Sequence, residues 1–234
     1  MNRLDRIMEL EMFQNDIGYL FNDPSLLDIA LTHSSYANES KHKMQYNERL
    51  EFLGDSVLSI IISSYLYNKF PNLPEGSLTK MRAGIVSEPS LAQAARKIDL
   101  GKYLLLGNGE QRTGGRERDS ILADAMEAVM GAVYLDGGID KATLFILDIL
   151  NDNIIDVQQG KGFRDYKTDL QEAIQSHSNN DIKYKIVEEQ GPDHNKMFVA
   201  QVIYDGCIIG QGKGRSKKEA EQTAAHQALN KILS

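Results

Sequence analysis

Over the first 155 or so residues, apolar side chains recur every three or four positions. Leu4, Ile7, Met8 and Met12 are spaced for one face of a helix. So are Leu50, Leu53, Val57, Leu58, Ile61 and Ile62, and further on Ile121, Ala125, Ala128, Val129 and Val133. Turn formers separate these runs: Asn22-Asp23-Pro24, Pro71-Asn72-Leu73-Pro74-Glu75-Gly76, Gly107-Asn108-Gly109, Gly114-Gly115 and Asp136-Gly137-Gly138. The pattern predicts an all-α module. After Gly160-Lys161-Gly162 it changes, predicting a helix over 166–176, strands over 184–188, 197–204 and 207–210, and a closing helix over 217–232. Asp205-Gly206 between two strand-like runs is a two-residue hairpin signal. The second module is therefore expected to be α+β, in the order α-β-β-β-α.

The expected organisation is a helical domain over 1–157, a linker over 158–163 and the mixed domain over 164–234, which suits a chain of 234 residues. The net charge of −7 at first counts against a polyanionic partner. Divided at residue 160, it reads differently: residues 161–234 hold 11 basic and 10 acidic side chains, and the first 160 hold 15 and 23. The acidity belongs to the helical module. Cys207 is the single cysteine, so no intrachain disulfide forms. Arg3, Asp5, Arg6, Glu9 and Glu11 interrupt the N-terminal apolar positions, against a secretory signal, and the longest apolar run, 57–66, contains Ser59, Ser63 and Ser64. A cytoplasmic protein without a membrane partner is the expectation.

Within that acidic module, Glu48, Glu51 and Asp55 fall at about 0°, 300° and 340° around a helix, one narrow stripe. Neither Glu51 nor Asp55 has Lys or Arg at i±3 or i±4, the usual relief for such repulsion. Asp124 and Glu127 repeat the pattern, three apart on an apolar helix with no cation at those spacings. Ionised carboxylates beside an apolar core cost several kcal/mol each, on the order of magnitude of buried ions, unless something positive compensates. Partners from another helix or a metal would serve. Four carboxylates without His or Cys favour Mg²⁺ or Mn²⁺ over zinc, and such a site suits phosphate-ester hydrolysis. A paired-acid glycosidase fits less well, because the chain has no Trp to form a sugar platform. Cys207 reads as a small buried hydrophobe rather than a nucleophile, and His33 as a structural histidine beside a helix end.

In the second module, Lys213, Arg215, Lys217 and Lys218 lie directly before the last helix, and Ser216 with Glu219 matches a capping box. Lysines in a first helical turn oppose the macrodipole, a local disadvantage that makes sense if they and the helix N-terminus hold phosphates. His194 in Gly191-Pro-Asp-His and the polar face Thr168, Gln171, Glu172 and Gln175 are further candidate contacts, suited to the 2′-hydroxyls of A-form RNA.

These segments resemble a known family. NERLEFLGDSVL (47–58) looks like the signature of bacterial ribonuclease III, and LTHSSY (31–36), PEGSLTKMRA (74–83) and ILADAMEAVMGAVYLDGG (121–138) resemble its other blocks in order. DYKTDLQE (165–172), GPDH (191–194) and GKGRSKKEAEQTAA (212–225) resemble a double-stranded-RNA-binding domain. The resemblance implies an endonuclease domain that forms a homodimer through the helix carrying 47–58, with one strand cut at each of two sites. Glu51, Asp55, Asp124 and Glu127 would be the Mg²⁺-binding acids, Asp55 and Glu127 the catalytic pair, and Glu127 the least replaceable. Glu48 and Glu75 match additional acidic positions that engage RNA or outer-shell water. Thr168, Gln171, Glu172, Gln175, His194, Ser216, Lys217 and Lys218 match RNA-contacting positions. Products would carry 5′-phosphate and 3′-hydroxyl ends with a short 3′ overhang, and ribosomal precursors and other structured or antisense-paired transcripts would be the substrates.

Overall fold

The computed structural model describes residues 3–40, 43–158, 166–175, 182–190 and 196–233, which fall into two units, Met1–Phe163 and Arg164–Ser234. In the first, the helical periodicity becomes α1 (Arg3–Asp16), α2 (Pro24–Ala30), α3 (Ser34–Glu39), α4 (Glu48–Lys69), α5 (Glu75–Ile85), α6 (Glu88–Lys97), α7 (Leu100–Tyr103), α8 (Asn108–Arg112), a 3₁₀ turn (Gly115–Glu117), α9 (Asp119–Ile149) and α10 (Asn151–Gln158). Local chemistry sets several starts. Asp23 caps α2 by accepting from Ser25 N–H, with Pro24 in the first turn, and His33 caps α3. Gly138, at φ +76°, kinks α9.

The core forms chiefly where α4 packs on α9. Leu50, Val57, Leu58, Ile61, Ile62 and Leu66 share it with Leu122, Met126, Val129, Met130 and Val133, all buried. Each fully buried Leu or Ile side chain contributes roughly 1.5–3 kcal/mol. By length and composition α4 reaches what crossing a membrane requires, which the shorter 57–66 run did not suggest. Seven of its residues are instead buried in this core, and its first turns carry three acids.

Three features of the helices were not apparent from the spacing of apolar residues. The apolar set Leu4, Ile7, Met8 and Met12 lies on the exposed side of α1, while Arg6, Leu10, Phe13, Gln14 and Ile17 face inward. Arg6 is tolerated there because its guanidinium donates to Asp28 at 2.7 Å, Glu9 at 3.1 Å and the Tyr103 carbonyl at 2.7 Å. Phe52, flanked by core residues in sequence, is 78% exposed. Glu75-Gly76 and Asn108-Gly109 open helices rather than loops, since residues that favour turns also favour helix N-termini.

The second unit runs α11 (Tyr166–Gln175), β1 (Ile182–Gln190), β2 (Met197–Tyr204), β3 (Cys207–Gly214) and α12 (Lys217–Leu233), with the strands antiparallel in the order β1-β2-β3. Asp205 and Gly206 have φ of 49° and 76°, the paired positive values of a type I′ hairpin. Leu170, Ile174, Ala200 and Val202 pack with Ala220, Ala224, Ala225 and Ala228. The third strand begins at Cys207, which is exposed and not buried as expected, and extends four residues beyond the sequence expectation, through a glycine-rich run of low strand propensity. A Cβ on Gly210, Gly212 or Gly214 would stand 2.4, 2.2 or 2.4 Å from the α12 backbone at Ala224 O, Ala224 N and Ala220 N. The alternating glycines therefore bring helix onto strand.

Candidate active site and nucleic-acid interface

The acidic stripe of α4 meets that of α9 because the two helices cross with their backbones nearly in contact. A Cβ on Gly54 would stand 1.9 Å from the Glu127 carbonyl oxygen, and one on Gly131 would stand 2.4 Å from that of Leu50. Only glycine permits this approach. It brings Glu51 and Asp55 beside Asp124 and Glu127, Glu127 lying at the crossing itself.

The four carboxyls act on one another. Burial pushes Glu127 up to about 8 from 4.5, with the charges of Asp55, Glu51 and Asp124 adding to the shift. Burial also raises Glu51, helped by Asp124, Glu48 and Asp55. Asp124 is raised by burial and by Glu88, while His33 pulls it down. None of the four carboxyls accepts a hydrogen bond or forms an ion pair among the described residues, and of the groups that shift Glu51, Asp124 and Glu127 only His33, at Asp124, lowers the value. Neither do they form a ready-made cage: no three His, Cys, Asp or Glu side chains among the described residues are grouped tightly enough to hold an ion as placed. An oxygen-only, half-buried acidic cluster of this kind fits a hard divalent ion that retains several waters. Of the additional acids, Glu48 is exposed and raises Glu51. Glu75 heads α5, accepts a hydrogen bond from Thr79 Oγ1 at 2.7 Å, and is not among the charges that raise Glu51, Asp124 or Glu127.

Three participants went unread in the sequence. Glu88 begins α6, 36 residues before Asp124, and no periodicity links the two. Gly54 lies inside the acidic stripe and Gly131 four residues beyond Glu127; a glycine in the middle of an apolar helix was the available sign of a close crossing. His33 is indeed a helix cap.

In the second unit, Ser216 Oγ accepts from Glu219 N–H at 3.1 Å, while Glu219 reaches back to Arg215 N–H at 2.7 Å, one residue earlier than a standard capping box. Lys217 and Lys218 are exposed in the first turn of α12. Lys217 already pairs with Glu189 at 3.0 Å and stands 5.7 Å from the centre of the Phe198 ring. Gln171 is exposed on α11. Thr168, Glu172 and Gln175 lie on the same helix with side chains outside the described set, and His194 lies outside the described residues.

Comparison with known proteins agrees with both units. Residues 23–153 match a family model described as Ribonuclease-III-like, and residues 166–232 match the double-stranded RNA binding motif. A protein named Ribonuclease 3 from Caldanaerobacter subterraneus subsp. tengcongensis is 56% identical over 223 residues, covering 95% of this chain and 98% of its own. Another of that name from Pelotomaculum thermopropionicum is 51% identical over 224 residues, covering 95% and 93%. Among solved structures, the nuclease domain of ribonuclease III from Campylobacter jejuni, described for flexibility in a region involved in dimer formation, matches with a TM-score of 0.58 at 41% identity. It covers 62% of this chain and 97% of its own.

Proposed function

The chain belongs to the ribonuclease III family, and from that premise we propose that it is a Mg²⁺-dependent endonuclease whose metal-binding acids are Glu51, Asp55, Asp124 and Glu127. The observation that carries this reading is the convergence of four unpartnered carboxyls across the Gly54–Gly131 crossing. Mn²⁺ is expected to substitute. When bound, the cation would activate a water and polarise the scissile phosphate. Glu127 must give up its proton for the site to load, which gives it both its metal-binding role and its pH dependence. The half-buried walls around it limit bulk water, which strengthens each electrostatic contact at the reacting phosphate. Glu48, and Glu75 at the head of α5, would act on RNA or outer-shell water.

The second unit would hold the duplex by shape and phosphate contacts, with Ser216, Lys217 and Lys218 at the start of α12 as the clamp and Thr168, Gln171, Glu172 and Gln175 of α11, together with His194, reading the minor groove. A homodimer through α4 is supported by Phe52, a large apolar side chain left at the surface beside the acidic stripe. Two sites in such a dimer would cut both strands, leaving 5′-phosphate and 3′-hydroxyl ends with a short 3′ overhang. Cytoplasmic ribosomal precursors and other structured or antisense-paired transcripts are the proposed substrates. The test is a long labelled RNA duplex incubated with the protein in Mg²⁺ or in EDTA, with duplex DNA as control. Cleavage of RNA alone, and only with Mg²⁺, is expected; an intact RNA duplex in Mg²⁺ would leave a binding protein instead.

A further inference from the structure

We infer that Lys167 is a positioning residue for duplex binding: paired with Glu221, it fixes the rotation of α11 about its own axis and so aims the polar face of that helix. The inference rests on the reading of the second unit as one that holds RNA through α11 and α12.

The sequence of α11 divides its circumference. With Lys167 at 0° and about 100° per residue, Tyr166, Leu170 and Ile174 fall near 260°, 300° and 340°, and Gln171, Gln175, Thr168 and Glu172 at about 40–140°. Leu170 and Ile174 are buried, and they pack with Ala220, Ala224, Ala225 and Ala228 of α12. Methyl groups make shallow ridges, so apolar packing alone leaves α11 free to roll on that surface.

The borders of the buried stripe supply the lock. On one, next to the polar face, Lys167 Nζ donates to Glu221 Oε2 at 2.6 Å and lies 4.4 Å from the centre of the Tyr184 ring on β1. Its backbone N–H donates to Gln222 Oε1 at 3.3 Å. On the other border Tyr166 stacks on His226 of α12, with ring centres 4.3 Å apart and planes at 33°. The side chains of Lys167 and Glu221 are only 34% and 24% exposed, so water and salt screen this pair less than a pair at the surface. An ammonium bonded to a carboxylate and seated on a ring is held in one geometry rather than swinging in solvent toward a phosphate.

Glu221 argues the same way. It is an acid on the helix whose first turn is read as the phosphate clamp, one turn past Lys217, where a negative charge opposes a polyanion. By charge alone its removal would tighten RNA binding. If it holds Lys167 in place, its removal loosens RNA binding, so the two roles differ in sign.

The test measures binding of a long RNA duplex to the full-length protein in EDTA by filter binding over a range of salt, alongside cleavage in Mg²⁺. Lys167→Met keeps the stem and loses the ammonium. This variant and Glu221→Gln are each expected to bind about 10-fold more weakly, within the range of coupling between contacting residues. The slope of log K against log salt should stay as in the wild type, and KM for RNA should rise with kcat unchanged. The double variant is expected to bind no more weakly than the weaker single one, because the pair acts as a unit. Should Lys167→Met fail to fold by circular dichroism, Glu221→Gln, which leaves the ammonium over the Tyr184 ring, decides alone. Folded Glu221→Gln that binds as tightly as the wild type or tighter overturns the inference, as do additive losses in the double variant. A slope lowered by about one in Lys167→Met overturns it too, making Lys167 a phosphate contact. A wild-type protein that binds no duplex overturns the reading of the second unit itself, a separate result.

Discussion

Gly54 lies against the backbone of Glu127 so closely that a methyl group on its α-carbon would overlap the Glu127 carbonyl oxygen. One contact thus couples the packing of α4 on α9 to the placement of the most strongly perturbed carboxyl among the described residues. Gly54→Ala must push the helices apart. We expect a loss of about 1–3 kcal/mol, the range for overpacking, and a fall in melting temperature of at least a few degrees. Cleavage, measured below the new melting transition, should fall further than the folded fraction does, because the acids separate with the helices.

Replacing the carboxyl itself separates chemistry from binding. Glu127→Gln is expected to abolish cleavage in Mg²⁺, by more than the roughly 100-fold upper range for outer-shell losses, while duplex affinity by filter binding stays within about twofold. Undiminished activity in this variant would remove Glu127 from the site.

The pH dependence of stability has an unusual sign. The folded-state pKa of Glu127, about 8, lies above its ordinary value of 4.5, so the native state holds the proton more tightly than the unfolded chain does. Without metal, the melting temperature should fall as pH rises from about 5 to 8, with the raised Glu51 and Asp124 contributing in the same direction. Glu39 and Asp136, whose carboxyls are lowered, contribute only in the acid range below this window. Differential scanning calorimetry in EDTA should show the decline, Glu127→Gln should flatten it, and Mg²⁺ should oppose it at pH 8. A wild-type profile that rises across this range would contradict the assignment.

Phe52 tests the assembly. Phe52→Glu places a charge on an exposed apolar site, and sedimentation should show monomers where the wild type gives dimers, with double-strand cleavage lost. A wild type that is already monomeric at micromolar concentration would exclude the α4 dimer.

The lysines of α12 should differ in salt dependence. Lys218 has no carboxylate partner among the described residues, whereas Lys217 must give up Glu189 to reach a phosphate. Lys218→Ala is expected to lower the slope of log K against log salt by about one, and Lys217→Ala by less. Equal slopes in all three proteins would remove this edge from the RNA contact.

Much of this was legible from the residues in order. Helical spacing exposed the acidic stripes, because a stripe needs only one helix to be seen, and Asp205-Gly206 marked its hairpin because two positive φ values demand such residues. Convergence was less visible. That Glu51 meets Asp124 depends on a crossing of two segments 70 residues apart, signalled only by Gly54 and Gly131. Glu88 had no local sign at all. Which face of α1 turns inward was not legible, because Arg6, normally exposed, finds three acceptors there, and such partners leave no trace in periodicity.

The glycines of β3 carry a last consequence. With backbone on backbone at Gly210, Gly212 and Gly214, α12 has no side-chain cushion on which to tilt, so its first turn is aimed before any ligand arrives. Little ordering entropy then remains to be lost at that edge when a duplex docks. As the proposed phosphate clamp, that turn would act as a fixed gauge, accepting helices whose phosphate spacing already fits and rejecting those that would have to bend it.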